Sequence, residues 1–208
     1  ILHKAIYAKK KNIVIISSSE DMAKRFLRRV RTELEENRFL QHTYQQQMTN
    51  KWSETEIKLQ NGTVIHAKGQ GAQLRGLIDG ANRPDLIILD DIEDDELVRS
   101  QMRRDDLEDW FNSAVLPSME PNTGQVIVVG TIMHEDSLLN RLLNKEFYPD
   151  FVSARYSAIV ETEAGAVALW PERFPLEVLL KKKADYIARA KLPQFYMEYL
   201  NNPIPAET

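Results

Sequence analysis

Three short aliphatic runs constrain this chain more than anything else in it: Asn12 to Ser17 (NIVIIS), Leu86 to Leu89 (LIIL) and Gln125 to Gly130 (QVIVVG). Runs of this length, rich in β-branched residues and without polar alternation, read as strands buried on both faces, which implies a parallel sheet covered by helices. Each is followed by a helical pattern. After the first, Ser19 is a good N-cap with Glu20 and Asp21 in the first turn, and Ala23, Phe26, Leu27, Val30 and Leu34 recur at helical spacing to about Asn37. After the second, Ser100 caps a helix with apolar positions Met102, Leu107, Trp110, Phe111 and Val115, running to Pro117. After the third, a helix is expected from about Glu135 to Lys145, then a weaker strand over Phe151 to Ala158. Asn61-Gly62 between two short alternating runs predicts a hairpin over about 55 to 67 with a type I′ turn. Strand-then-helix units in series define an α/β fold with a mainly parallel central sheet. Beyond Glu161 the pattern changes to a turn over Trp170 to Pro175 and two amphipathic helices, about Leu176 to Ala190 and Pro193 to Leu200.

Composition narrows the chemistry. The 208 residues are 43% hydrophobic and 28% charged, enough apolar material for one packed core, and no cysteine is present. That removes disulfide scaffolds, thiolate nucleophiles and Cys-ligated metals. No apolar run approaches the ~18 residues that would span a bilayer. The four histidines, His3, His42, His66 and His134, share no metal-ligand spacing. A net charge of −4 argues against a bulk polyanion binder, but the charge is segregated. Residues 86 to 109 hold ten acids against three bases, and residues 1 to 31 nine bases against two acids. The basic helix with Lys24, Arg25, Arg28, Arg29 and Arg31 either faces phosphate or a neighbouring subunit, or is a solvated face.

In a parallel α/β sheet, ligands bind at the carboxyl ends of the strands. Three polar clusters fall there: Ser17-Ser18-Ser19, Asp90-Asp91 and Gly130-Thr131. Four aliphatic residues and two aspartates have the form of a Walker B element, in which the first carboxylate holds Mg²⁺ and the second positions the attacking water. The same pattern also arises from loop starters and helix caps. The acids that follow, Glu93 to Glu96, read as a solvated loop. Arg75, in a glycine-rich loop (Gly69, Gly71, Gly76, Gly80), has the chemistry of a residue that neutralises transition-state charge, or of a surface arginine beside a turn. No Gly-x-x-x-x-Gly-Lys-Ser/Thr occurs in the chain, so it lacks a phosphate cradle of that type.

The run Gly69 to Asp91 (GQGAQLRGLIDGANRPDLIILDD), the following Asp109-Trp110-Phe111, and Gln125 to Leu139 (QVIVVGTIMHEDSLL) together resemble the ATPase domain of the large terminase subunit of tailed bacteriophages and prophages. Leu169 to Phe174 (LWPERF) and Phe195 to Pro203 (FYMEYLNNP) resemble the segment leading from that domain toward a nuclease domain. The resemblance implies an additional-strand P-loop NTPase-like fold and an ATP- and Mg²⁺-dependent motor that moves double-stranded DNA into procapsids. Its implied partners are DNA, portal protein, the small terminase subunit and further copies in a ring, all in the bacterial host cytoplasm. By position, Asp90 is the metal residue, Asp91 the catalytic carboxylate, Gly130 and Thr131 the γ-phosphate-sensing coupling motif, and Arg75 the trans-acting arginine. Asp91 stands where the family more often has Glu and is shorter by one methylene, so either the water is positioned differently or Glu93 assists. The resemblance starts downstream of the phosphate loop, with Ile1 to Tyr7 as the helix after it, and stops before the nuclease. It divides the chain into an ATPase core at 1–160 and a helical linker at 161–208, and implies that this segment alone lacks ATPase activity. Two other readings stay open: a metal-dependent nuclease using Asp90 and Asp91 on DNA, and a non-catalytic module that docks on the portal or small subunit.

Overall fold

The computed structural model describes residues 1–45, 47–80 and 82–203; the last residues of the expected linker, 204–208, lie outside these. Two compact units divide the chain: Ile1–Ile92 with Asp105–Gly130, and Glu93–Arg104 with Thr131 onward. The helix Gln101–Trp110 belongs in part to each.

The first unit is α/β. After a short helix α1 (Leu2–Ile6), strand β1 (Asn12–Ser17) forms, fully buried as its unbroken aliphatic pattern requires. Helix α2 (Glu20–Glu36) starts where the Ser19 hydroxyl accepts a hydrogen bond from the Met22 amide at 3.3 Å. Helix α3 (Arg38–Tyr44) is capped in turn by Asn37. Strands β2 (Met48–Trp52), β3 (Glu56–Leu59) and β4 (Val64–Gly69) follow, then β5 (Leu86–Asp90). Next in the chain, short helix α4 (Asp95–Val98) belongs to the second unit; α5 (Gln101–Trp110) continues through a π-helical turn (Phe111–Val115) into α6 (Leu116–Ser118), and β6 (Gln125–Val129) completes the sheet. Among the described residues these six strands take the order β2-β3-β4-β1-β5-β6. The pairs β4–β1, β1–β5 and β5–β6 are parallel, and β2–β3 and β3–β4 antiparallel, so the sheet is mixed but mainly parallel.

One face of the sheet meets α2. Ile13 and Ile15 of β1, Ile65 and Ala67 of β4, Ile57 and Leu59 of β3 and Leu86 of β5 form one cluster with Ala23, Leu27, Val30 and Leu34 of α2 and Ala5 of α1. The alternating residues Val14, Ile16, Ile87 and Leu89 point the other way and are equally buried. Gly69 ends β4 beneath the start of α2, where an added Cβ would stand 2.8 Å from the Glu20 backbone nitrogen.

Several expectations need correction. The Gln125–Gly130 run is a strand but not a buried one: among the described residues β6 pairs only with β5, and Ile127 and Val129, on the α2 side, are 36% and 52% exposed because none of those residues covers them. The hairpin turn is not type I′. Leu59 and Thr63 pair around three residues, and only Gly62 adopts positive φ (+85°), which is a type I turn closed by a glycine bulge. Strand β2 is an addition to the expected elements; its half-exposed, polar sequence lacks alternation and so carries no strand signal. Met102, expected on the packed face of its helix, is 70% exposed.

The second unit departs further. The expected helix from Glu135 to Lys145 shrinks to α7 (Leu138–Arg141), because the preceding residues form turns. Residues 151–157 are irregular instead of a strand, and an antiparallel hairpin, β7 (Ile159–Thr162) and β8 (Gly165–Ala168), comes just after them. The two amphipathic helices are present as α8 (Leu176–Ala188) and α9 (Leu192–Leu200). Tyr186 of α8 lies tilted against Phe195 and edge-on to Tyr199 of α9, and Phe195 stacks on Tyr199 at 5.0 Å. No helix among the described residues is long and apolar enough to cross a membrane.

Candidate functional site

The carboxyl ends of the parallel strands are tied together by backbone. The Ser18 amide donates to the Asp91 carbonyl (3.2 Å), the Asp91 amide to the Val129 carbonyl (3.0 Å), and the Gln70 amide to the Ser17 carbonyl (2.9 Å). Strands β4, β1, β5 and β6 therefore end on one line, and the fold brings Ser17, Asp90, Asp91 and Gly130 to it. Gly130 directly follows Val129, the register partner of Asp90.

Asp90 is the last residue of β5 and is half-buried. Alternation along β5 places it on the α2 side, with Leu86 and Ile88. Burial, and then the charge of Asp91, hold its carboxyl above the usual aspartate range. Among the described residues no lysine or arginine lies within ion-pair distance of either aspartate. Asp91 is exposed and has left-handed backbone (φ +46°), held by its two backbone hydrogen bonds to the neighbouring strands. This is a strained conformation for a residue with a side chain, though aspartate tolerates it better than most.

The serine cluster divides its labour. Ser19 caps α2, whereas Ser17 is fully buried and its hydroxyl has no hydrogen-bond partner among the described residues. Ser17 lies one residue past the Ile16–Leu89 pair, which places it beside Asp90 and on the same face. A half-buried carboxylate without a counter-cation, next to an unpartnered hydroxyl, is a set of hard oxygen donors suited to Mg²⁺ and its water shell. No group of three or more His, Asp or Glu side chains converges among the described residues. A Mg²⁺ ion that takes most of its ligands from water and nucleotide phosphate requires only one or two carboxylates.

The other singled-out residues fare differently. Arg75 is exposed, and its guanidinium donates to the Ser113 carbonyl on the π-helical turn (3.2 Å). Thr131 opens the second unit, where the next amide, Ile132, donates to the Asn201 side chain (2.7 Å). Glu93 is committed elsewhere: its two oxygens accept from the amides of Leu138 (2.8 Å) and Leu139 (3.1 Å) at the start of α7. Burial raises its pKa, opposed by those two amides and by Arg141 and Arg104. Asp94 caps α4. Both acids thus serve as acceptors for helix-start amides, Glu93 for α7 and Asp94 for α4.

The basic helix is also largely accounted for. Lys24 pairs with Glu20 (2.8 Å), Arg31 with Glu35 (3.4 Å) and Arg28 with Glu54 (3.8 Å), while Arg29 lies over the Phe26 ring. Sequence reasoning missed one network in the second unit. Arg104, buried, donates to the Val98 carbonyl and to Asp136, which Arg141 also engages at 2.9 Å. The two arginines, Arg141 first, hold the Asp136 carboxyl below its usual range. Residues 32 apart in sequence carry no local signal of such pairing.

The sequence matches no protein-family model and no curated protein. What fold and site together define is an α/β unit whose mainly parallel sheet carries an acidic strand end.

Proposed function

We propose that this chain is the Walker B part of a P-loop NTPase-like motor of the large terminase type, whose parent protein uses ATP and Mg²⁺ to translocate double-stranded DNA. Asp90 would hold the cation through one carboxylate, Asp91 would position water, Gly130 and Thr131 would sense the terminal phosphate, and Arg75 would act on a neighbouring copy's nucleotide. The bound cation would supply charge neutralisation on the phosphates.

The observation that carries this reading is the open edge of the sheet at β6, one strand over from Asp90. An aliphatic parallel strand with a free edge and an uncovered face is suited to one more parallel strand and a helix. The path of the chain agrees. The crossover from β1 through α2 runs away from β5, and a right-handed connection from a strand beyond β6 to β1 runs in the same sense. Its helix would therefore cross the α2 face, where α1 already packs and where Ile127 and Val129 are exposed. A strand in that position would end beside Val129 and Gly130, one strand away from Asp90, at the sheet end where a phosphate loop is needed.

Partners follow from the same reading: DNA, a portal, a small subunit and further copies in a ring, in a bacterial host cell. Leu180 and Ile187, two turns apart on α8, are exposed on one face and suit docking to another protein. A nuclease that used Asp90 and Asp91 directly on DNA would need a further converging carboxylate, and none is found among the described residues.

The test is ATP hydrolysis by the chain extended upstream in frame to include a Gly-rich loop ending in Gly-Lys-Ser/Thr. DNA-stimulated turnover is expected, and Asp90→Ala should reduce it at least ~100-fold, the scale on which removing a key charge-stabilising group acts, with the circular dichroism spectrum unchanged. Turnover unaffected by Asp90→Ala would sink the assignment.

A further inference from the structure

A buried hydroxyl without a partner is costly, and a bound group that satisfies it removes the cost. Ser17 is such a group: fully buried, at the carboxyl end of β1, beside Asp90 and on the same face. On the β4 side its register partner is Gly69, which offers no side chain and is pinned under the Glu20 amide. Its carbonyl is taken by the Gln70 amide, Ser18 gives its backbone amide to the Asp91 carbonyl, and the Ser19 hydroxyl caps α2. The remaining polar side chain on this face at the strand ends is Asp90.

We propose that Ser17 is a positioning residue of the Asp90 site, its hydroxyl hydrogen-bonding to a water in the shell of the cation that Asp90 holds. This rests on the reading of Asp90 as a cation ligand. A hydroxyl can donate to the carboxylate or accept from a cation-bound water, whose protons are strongly polarised; an alanine can do neither. Ser17 touches the bound water and not the metal, so it orients the shell without adding charge.

Mn²⁺ alone is the probe, titrated into the uniformly ¹⁵N-labelled chain. Saturable paramagnetic broadening of the Ser17, Ser18, Asp90 and Asp91 amides is expected. Asp90→Asn should abolish it, and Ser17→Ala should weaken the apparent affinity roughly three- to tenfold, the equivalent of one hydrogen bond. Without Mn²⁺, Ser17→Ala should melt at or above the wild-type temperature, since it removes an unsatisfied buried hydroxyl. The two claims fail separately. No saturable broadening in the wild type, or broadening indifferent to Asp90→Asn, overturns the cation site and the role of Ser17 with it. Broadening lost in Asp90→Asn but unchanged in Ser17→Ala overturns Ser17 alone, as does a lowered melting temperature with wild-type Mn²⁺ affinity, which would mark the hydroxyl as structural.

Discussion

His66 shows how a single side chain sets a pH limit on the sheet. It lies on β4, nearly fully buried, with Nδ1 4.0 Å from a Glu56 oxygen and Nε2 without a partner among the described residues. Burial holds its pKa below the ordinary 6.5, with Glu56 opposing and Lys68, Lys51 and Asp79 contributing smaller effects of both signs. The folded state therefore prefers the neutral ring. As pH falls through 6.5 the unfolded chain takes up a proton first, so stability is lost from there downward to the folded-state value. Urea midpoints at pH 7.5 and pH 5.5 should differ, and His66→Gln should shrink the difference; equal slopes in the two proteins would refute this. Gly69 constrains the same strand by shape. Its φ is ordinary, so Gly69→Ala introduces no backbone strain, but the new methyl would press on the Glu20 nitrogen at 2.8 Å. Displacing the α2 N-terminus should cost about 1–3 kcal/mol, as overpacking does, read as a fall in the denaturation midpoint.

At the scale of elements, α7 depends on a residue far from it. Four residues cannot sustain a helix by propensity, and the Leu138 and Leu139 amides rely on Glu93. Glu93→Ala should leave them unsatisfied and cost about 1–3 kcal/mol, whereas Glu96→Ala, at an exposed position of α4, should cost far less. Thermal melts of the two variants make the comparison. This contact also marks where sequence reading stops. Strands β1 and β5, helix α2 and the α8–α9 pair are legible because their patterns are local: an unbroken aliphatic run, or an apolar stripe, behind a capping serine in α2. The exposure of β6 is not, since QVIVV reads the same in the middle of a sheet as at its edge, and only the number of neighbours decides. The β7–β8 hairpin is hidden by its short strands. In the site, Asp90, Asp91 and the serines are legible from their place after strands. The commitments of Glu93 to α7 and of Arg75 to the Ser113 carbonyl are not, because each joins residues more than thirty positions apart.

At the scale of the molecule, the sheet has one side finished and one side open. At the far end, β2 is a short edge strand with mixed, largely polar side chains, the kind of edge that resists further pairing. At the near end β6 offers aliphatic side chains and, among the described residues, a row of backbone groups without a strand partner. Such an edge promotes self-association, so the chain should show concentration-dependent mass in sedimentation, and Ile127→Lys with Val129→Lys should abolish it. Because both side chains are already well exposed, the double variant should melt close to wild type; a large loss of stability would mean that they are buried in solution.

The lopsided sheet has a further consequence in time. Amide protons of β1, enclosed by strands on both sides, should exchange with deuterium only on global unfolding, whereas β6 amides that face outward should exchange in brief local openings. Protection should therefore grade across the sheet, highest at Ile13–Ile16 and lowest at Gln125–Val129, and docking of a strand on β6 should flatten the gradient without moving a single residue of β1.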